Sequence, residues 1–237
     1  MSEFEKKKNF SDKSPEEWFE LGFKVKDLQE KLEYFSKALE IDPKHISAWY
    51  NKGAVLFALG RFEESLECFD KALEIEPKYG DAWYNKGYLL YGLERFEEAL
   101  ECFDKALELD PEGVDAWINK GLTLDTLGRS EEALECFEKA IELDPKEKRA
   151  WSNKGLTLGL MERFEESLEY FEKALELDPE DIFSWINKGS SLALLERFEE
   201  AIKCFEKALE LDPENELALK SREVAMSSLE NRKDMEP

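Results

Sequence analysis

From residue 46 onward, apolar positions recur at helical spacing in two short bursts separated by a polar break, and the figure then repeats. Within residues 46–79, Trp49, Gly53 and Leu56 fall three and four apart, the spacing of one face of a helix. A break follows at Gly60-Arg61. Phe62, Leu66, Phe69, Ala72 and Leu73 then resume the spacing, which marks the inward stripe of a second helix. Glu63 and Glu64 stand in its first turn, where the helix dipole favours carboxylates. Pro77 stops it, because proline biases the preceding residue away from helix and cannot donate into one. Each unit is predicted to be a helical hairpin.

Pro43, Pro77, Pro111, Pro145, Pro179 and Pro213 are spaced by 34 residues, and so are Trp49, Trp83, Trp117, Trp151 and Trp185. A fixed period of this length marks stacked repeats, each too small to bury its apolar face alone. The pattern resembles the tetratricopeptide repeat, whose order is W-x2-L-G-x2-Y, then A-x3-F, then A and P. The third unit matches it with Trp83, Gly87, Ala99, Phe103, Ala106 and Pro111. Two departures are systematic. The family Leu is Lys52, Lys86, Lys120, Lys154 and Lys188, and the family Tyr is Leu56, Leu90, Leu124, Leu158 and Leu192. Upstream, WFELG at 18–22 restores the family's W-x2-L-G in a unit three residues short. Residues 216–231 read as a first helix without a partner, with Leu219 for the Trp and Glu223 for the Gly. An open stack needs such a helix over its last apolar surface.

The resemblance implies an all-α fold, a right-handed superhelical solenoid of antiparallel helix pairs with six repeats and a C-terminal capping helix. The expected boundaries are a mobile segment 1–14, a degenerate repeat 15–45, repeats 46–79, 80–113, 114–147, 148–181 and 182–215, the capping helix 216–231 and a mobile tail 232–237.

Composition narrows the partners. The 237 residues are 42% hydrophobic with a net charge of −23. That charge opposes a sequence-independent grip on nucleic acid phosphates and a polybasic hold on anionic membranes. No signal-peptide core or long apolar run occurs, so neither that secretion route nor a membrane span is expected. Cys68, Cys102, Cys136 and Cys204 occupy one repeat position and read as small apolar residues. Reduced thiols fit a cytoplasmic location. CxxC pairs and His-containing metal sets are absent, so no metal or cofactor is expected. Nor is catalysis: His45 is the single histidine, and no Gly-rich phosphate loop occurs. Acidic runs such as RFEESLECF repeat with the period and read as a solvated helix face.

What composition leaves unexplained is the stretch AWYNKG, residues 48–53, repeated near-identically in every later unit. With Trp at position four of each unit, Asn51, Asn85, Asn119, Asn153 and Asn187 fall at position six, roughly 200° around the helix from the packed stripe. The resemblance puts positions 2, 5, 6, 9, 12 and 13 along the concave groove. A carboxamide carries two donors and an acceptor, and a row of them resembles the asparagine ladders by which some of these superhelices hold peptide backbones. The other reading is that each Asn bonds the adjacent helix and was copied with the repeat. Position five gives Tyr50, Tyr84 and Ile118, position nine Tyr88 and Leu122, position twelve Phe57 and Tyr91. Tyr50, Phe57, Tyr84, Tyr88 and Tyr91 gather in the second and third units. Exposed aromatics mark interaction surfaces; the same rings could instead fill the inner side of the coil. The Lys at position seven either lays its methylenes on apolar surface and reaches a carboxylate, or edges the groove. A chaperone-tail carboxylate clamp is not expected, because position five is never Lys and position nine never Asn.

These residues point to a non-catalytic scaffold holding an extended peptide segment of a partner. The sites would be Asn51, Asn85, Asn119, Asn153 and Asn187 for backbone, and Tyr50, Phe57, Tyr84, Tyr88, Tyr91, Ile118 and Leu122 for side chains. The alternative is a self-assembling structural protein whose ends or groove bind further copies.

Overall fold

The computed structural model describes residues 13–235. Among them are thirteen helices. They are α1 (Pro15–Lys24), α2 (Leu28–Ile41), α3 (Ile46–Ala58), α4 (Phe62–Ile75), α5 (Gly80–Gly92), α6 (Phe96–Leu109), α7 (Val114–Thr126), α8 (Ser130–Leu143), α9 (Lys148–Leu160), α10 (Phe164–Leu177), α11 (Ile182–Leu194), α12 (Phe198–Leu211) and α13 (Glu216–Met235). Odd- and even-numbered helices pair as six antiparallel hairpins, and α13 follows as a terminal helix. Two compact units divide the chain, residues 1–111 with α1–α6 and residues 112–237 with α7–α13. Inside each unit a hairpin packs on the next, and successive first helices touch one another.

The repeated residues each explain a contact. Phe35, Phe69, Phe103, Phe137, Phe171 and Phe205 are fully buried, one in each second helix. Burying a side chain of that size contributes about 2 kcal/mol or more. Each ring lies against the glycine of its own first helix. A Cβ at Gly53 would stand 2.9 Å from Phe69 Cε1, and one at Gly189 would stand 2.6 Å from Phe205 Cε1. The position must be glycine because the helices cross there. The tryptophans fix the link between units. The indole Nε1 of Trp49 donates to the Pro43 carbonyl at 2.9 Å, Trp83 to Pro77 at 2.9 Å, Trp151 to Pro145 at 3.0 Å and Trp185 to Pro179 at 2.9 Å.

Except in the first hairpin, where Val25 ends the helix in extended conformation, the turn inside each hairpin is a left-handed helix stop. Arg61 N–H returns to the Leu56 carbonyl at 2.9 Å, with Gly60 between them at φ 73°. This is the six-to-one bond of a Schellman motif. Gly128 does the same at φ 76°, but Glu94, Glu162 and Glu196 hold φ of 59°, 61° and 58° without a glycine. After the turn Arg61, Arg95, Arg129, Arg163 and Arg197 each fork onto a glutamate three residues on.

The first hairpin is the short one. α1 has 10 residues where α3 has 13, and a capping box of Ser14 and Glu17 starts it. The mobile segment expected at 1–14 lies outside the described residues except for Lys13 and Ser14. At the other end the helix expected to stop at 231 runs to Met235. No Gly or Pro interrupts residues 216–235, so nothing in the chain breaks it. Of the tail expected at 232–237, residues 236 and 237 lie outside the described residues.

Candidate functional site

Position six of every full repeat lies mid-helix on a first helix, and all five asparagines are half-buried. Their hydrogen bonds differ. Asn51 Nδ2 donates to the Ser47 carbonyl at 2.8 Å, Asn119 Nδ2 to Asp115 at 2.9 Å and Asn187 Nδ2 to Phe183 at 2.8 Å. Each folds back four residues onto its own helix. Because the acceptor is a carbonyl, the amide nitrogen must face it, and Oδ1 of Asn51 and of Asn187 keeps its acceptor capacity. Asn85 Nδ2 instead crosses to Tyr50 Oη at 2.7 Å, linking α5 to α3. Asn153 has no hydrogen-bond partner among the described residues. The reason is local. The residue 35 positions upstream is Ile118, which has no hydroxyl, and the Arg149 carbonyl is taken by Ser152 Oγ at 3.3 Å.

In the first unit the first helices carry aromatic rings. Phe57 is 37% exposed and Tyr88 46%, with ring centroids 6.0 Å apart. Tyr50, Tyr84 and Tyr91 are half-buried. Tyr50 packs on Tyr79 at 5.0 Å and Tyr84 on Phe103 at 6.1 Å. Burial, then the nearby Asp81 carboxylate, push the Tyr50 phenol above its usual pKa, which the Asn85 bond partly offsets. Phe19 and Phe23 of α1 form a separate aromatic pair in the first hairpin. Phe19 contacts Phe23 at 5.0 Å and the His45 ring at 4.8 Å, and Phe23 is exposed. The sequence reading did not select these two; the WFELG motif, which puts Phe19 and Phe23 at positions five and nine, is the signal that identifies them.

In the second unit the corresponding face is aliphatic and hydroxylic. Ile118, expected to contact a ligand, is only 1% exposed. Without a polar tip it packs fully into the core, and it leaves the ligand-facing set. Leu122 is half-buried. Asp125, the carboxylate at position twelve, is spent internally: it accepts from Ser130 Oγ at 2.7 Å and from Thr157 Oγ1 at 3.1 Å. Arg149 joins Asp115 at 2.5 Å and Glu147 at 2.8 Å. Its pKa is raised first by the Glu147 bond.

The lysines at position seven hold the frame together. Lys86 pairs with Asp70 at 2.6 Å and Lys188 with Glu172 at 3.0 Å, each across to the preceding hairpin's second helix. Lys154 pairs likewise with Glu138. Lys52 lies 5.4 Å from the Trp49 ring and Lys120 5.3 Å from Trp117. Cys68, Cys102, Cys136 and Cys204 are buried free thiols. Burial raises the pKa of Cys68, Cys102 and Cys204 to about 11. Among the described residues no group of three or more His, Cys, Asp or Glu is placed to hold a metal ion. No helix there is long and apolar enough to cross a membrane.

Comparison with known proteins follows the same lines. The family model described as tetratricopeptide repeat matches residues 46–79, 80–112, 114–147, 149–181 and 182–215. The model for the protein prenyltransferase alpha subunit repeat, another family, matches residues 28–59. A curated relative, the uncharacterized protein MJ0572 of Methanocaldococcus jannaschii, is 41% identical over 54 residues. That match covers 22% of this chain and 63% of the relative, under two thirds of its length. Among solved structures, YrrB, described as a TPR protein with an unusual peptide-binding site, superposes with a TM-score of 0.67 at 28% identity. The superposition covers 80% of this chain and 97% of that one. MamA from Desulfovibrio magneticus RS-1 gives a TM-score of 0.67 at 26% identity, over 72% of this chain and 97% of that one. Yeast Tom70, at 24% identity and a TM-score of 0.65 over 94% of this chain and 49% of that one, shares the fold.

Proposed function

The chain belongs to the tetratricopeptide repeat family, and from that premise we propose that it is a non-catalytic scaffold holding an extended segment of a partner protein along its first helices. Exposed Phe57 and Tyr88, standing among the half-buried Tyr50, Tyr84 and Tyr91, carry this reading. Large aromatics left partly in water at the centre of a surface are the residues that dominate protein recognition. The asparagines supply the complementary chemistry. Asn51 and Asn187 each spend one N–H on their own helix and keep Oδ1, an acceptor suited to a peptide N–H. Asn153 keeps its whole carboxamide. The backbone would be read by these groups and the side chains by the rings and by Leu122. YrrB, described as peptide-binding, lends support as an analogue. Family resemblance alone does not fix a ligand.

A random-peptide display library, panned on the intact protein, tests the reading. Enrichment of extended sequences with apolar residues at regular spacing, lost in a folded variant carrying Tyr84→Ala and Tyr88→Ala, supports it. Failure to enrich any sequence overturns it.

A second reading has one observation of its own. Leu217 and Val224 of α13 are exposed, seven residues apart and so on one face of the helix that follows the last hairpin. Self-association through this helix would bury them. Sedimentation of the intact protein beside Leu217→Lys and Val224→Lys would show a concentration-dependent mass that the substitutions abolish; a constant monomer mass rejects it.

A further inference from the structure

Positions twelve and seventeen form a pair in three consecutive repeats. Phe57 packs on Phe62 with ring centroids 5.9 Å apart, and Tyr91 packs on Phe96 at 5.5 Å. In the fourth repeat the pair is polar, with Ser130 Oγ donating to Asp125 at 2.7 Å. In the fifth the pair is Gly159 and Phe164. Here the ring at position seventeen remains and its partner side chain is missing.

The space left is a cavity of about 130 Å³. Its lining includes Leu156, Leu160, Phe164 and Leu194, with Asn187, Ser190 and Ser191 as its polar neighbours, the last already bonded to Ser167 Oγ at 2.9 Å. Leu160 is 67% exposed and Leu194 64%, the largest exposures among the large apolar side chains of the described residues. Asn187 spends one Nδ2 hydrogen on the Phe183 carbonyl, and Ser190 spends its hydroxyl hydrogen on the Ile186 carbonyl at 2.9 Å. Both retain acceptor capacity.

We propose that this cavity is a subsite for one aromatic side chain of the bound segment, with Asn187 and Ser190 accepting the N–H groups that flank it. The ligand's ring takes the place against Phe164 that Phe57 takes against Phe62 and Tyr91 against Phe96. The size agrees, since an apolar cavity of roughly 150 Å³ in another protein admits benzene. Aromatic pairs favour tilted or edge contacts, the geometry of the two pairs already filled. The subsite role rests on the scaffold reading above; the cavity itself can be tested without it.

Gly159 is the natural switch. A Cβ there would meet only Ser191 Oγ at 3.6 Å and Ser167 Oγ at 4.0 Å, ordinary contacts that Gly159→Ala accepts, and circular dichroism and thermal unfolding establish that Gly159→Phe is folded before it is used. The probe is N-acetyl-phenylalanine N-methylamide, titrated into methyl-labelled protein and followed by NMR. The leucine methyl signals of Leu156, Leu160 and Leu194 shift saturably in the intact protein and in Gly159→Ala. They do not move in Gly159→Phe, where the introduced ring fills the space, nor with the alanine analogue of the probe. No shift in the intact protein, or an equal shift in Gly159→Phe, overturns the proposal. Display-selected peptides separate the two readings. Peptides that bind the intact protein while the probe moves nothing overturn the cavity alone. An intact protein that retains no peptide overturns the scaffold reading, and the subsite role with it.

Discussion

Asn85 Nδ2 donates a 2.7 Å hydrogen bond to Tyr50 Oη, a phenol one helix pair upstream. This bond joins α5 to α3 through two side chains of the proposed binding face, so recognition and repeat stacking share the same atoms. Tyr50→Phe removes the acceptor and little volume. A typical hydrogen bond contributes about 1 kcal/mol net, and the half-buried carboxamide can recover part of that from water. Thermal unfolding of Tyr50→Phe should show a loss on the order of 1 kcal/mol or less, with unchanged helicity. A variant as stable as the parent would show that the bond carries nothing.

The hairpin turns store strain unequally. Glu162 holds φ at 61°, where Gly60 and Gly128 hold 73° and 76°. A residue with a Cβ costs roughly 1 kcal/mol in that region, and glycine does not. Glu162→Gly should raise the unfolding midpoint by an amount equivalent to roughly 0.5–1 kcal/mol. Gly60→Ala should lower it comparably. Opposite signs in the two melts are the check.

Lys154 is only 9% exposed. Burial opposes its charge, but the hydrogen bond to Glu138 and the interaction with Tyr170, whose ring centroid lies 4.5 Å from Nζ, outweigh burial and raise its pKa above the usual 10.5. A raised folded pKa means that the ammonium stabilises the fold fully below the unfolded value and ceases to as pH rises through the folded one. The stability gap between the parent and Lys154→Met should therefore be constant below pH 10.5 and change, at the parent's expense, above it. Urea midpoints across that range measure it. A gap that stays constant contradicts the assignment.

Cys68, Cys102 and Cys204 are buried, with pKa values of about 11 against a usual 9.0. The thiolate is the reactive species, so a two-unit rise cuts its population on the order of 100-fold near pH 8. Iodoacetamide should label the native protein slowly and all four cysteines rapidly in denaturant. Fast native labelling would mean that the hairpins open locally.

The frame was legible in the sequence because each of its residues serves one contact many times over. Trp recurs with the proline carbonyl that its indole bonds, and Gly recurs with the Phe that it admits. Periodicity exposes such residues directly. The proposed binding face was harder to read because its residues change from repeat to repeat. Ile118 shares position five with Tyr50, yet without a hydroxyl to keep at the surface it sinks to 1% exposure. The absence at Gly159 was equally hidden: a missing side chain is informative only beside Phe164, and that pairing emerges when Phe57–Phe62 and Tyr91–Phe96 are seen in contact. Phe19 and Phe23 escaped because their repeat is three residues short and its alignment is loose.

The central claim is that the asparagines hold a peptide by its backbone. The direct measurement takes one display-selected peptide and a counterpart N-methylated at alternate backbone positions, and determines the Kd of each for the intact protein and for Asn119→Ala, Asn153→Ala, Asn187→Ala combined. With side chains identical, N-methylation should weaken binding to the intact protein by roughly tenfold or more, as expected for the loss of one or two hydrogen bonds. The same change should have little effect on the triple variant. Equal affinities of the two peptides for the intact protein would contradict the account and return the asparagines to residues that merely bond their own helices.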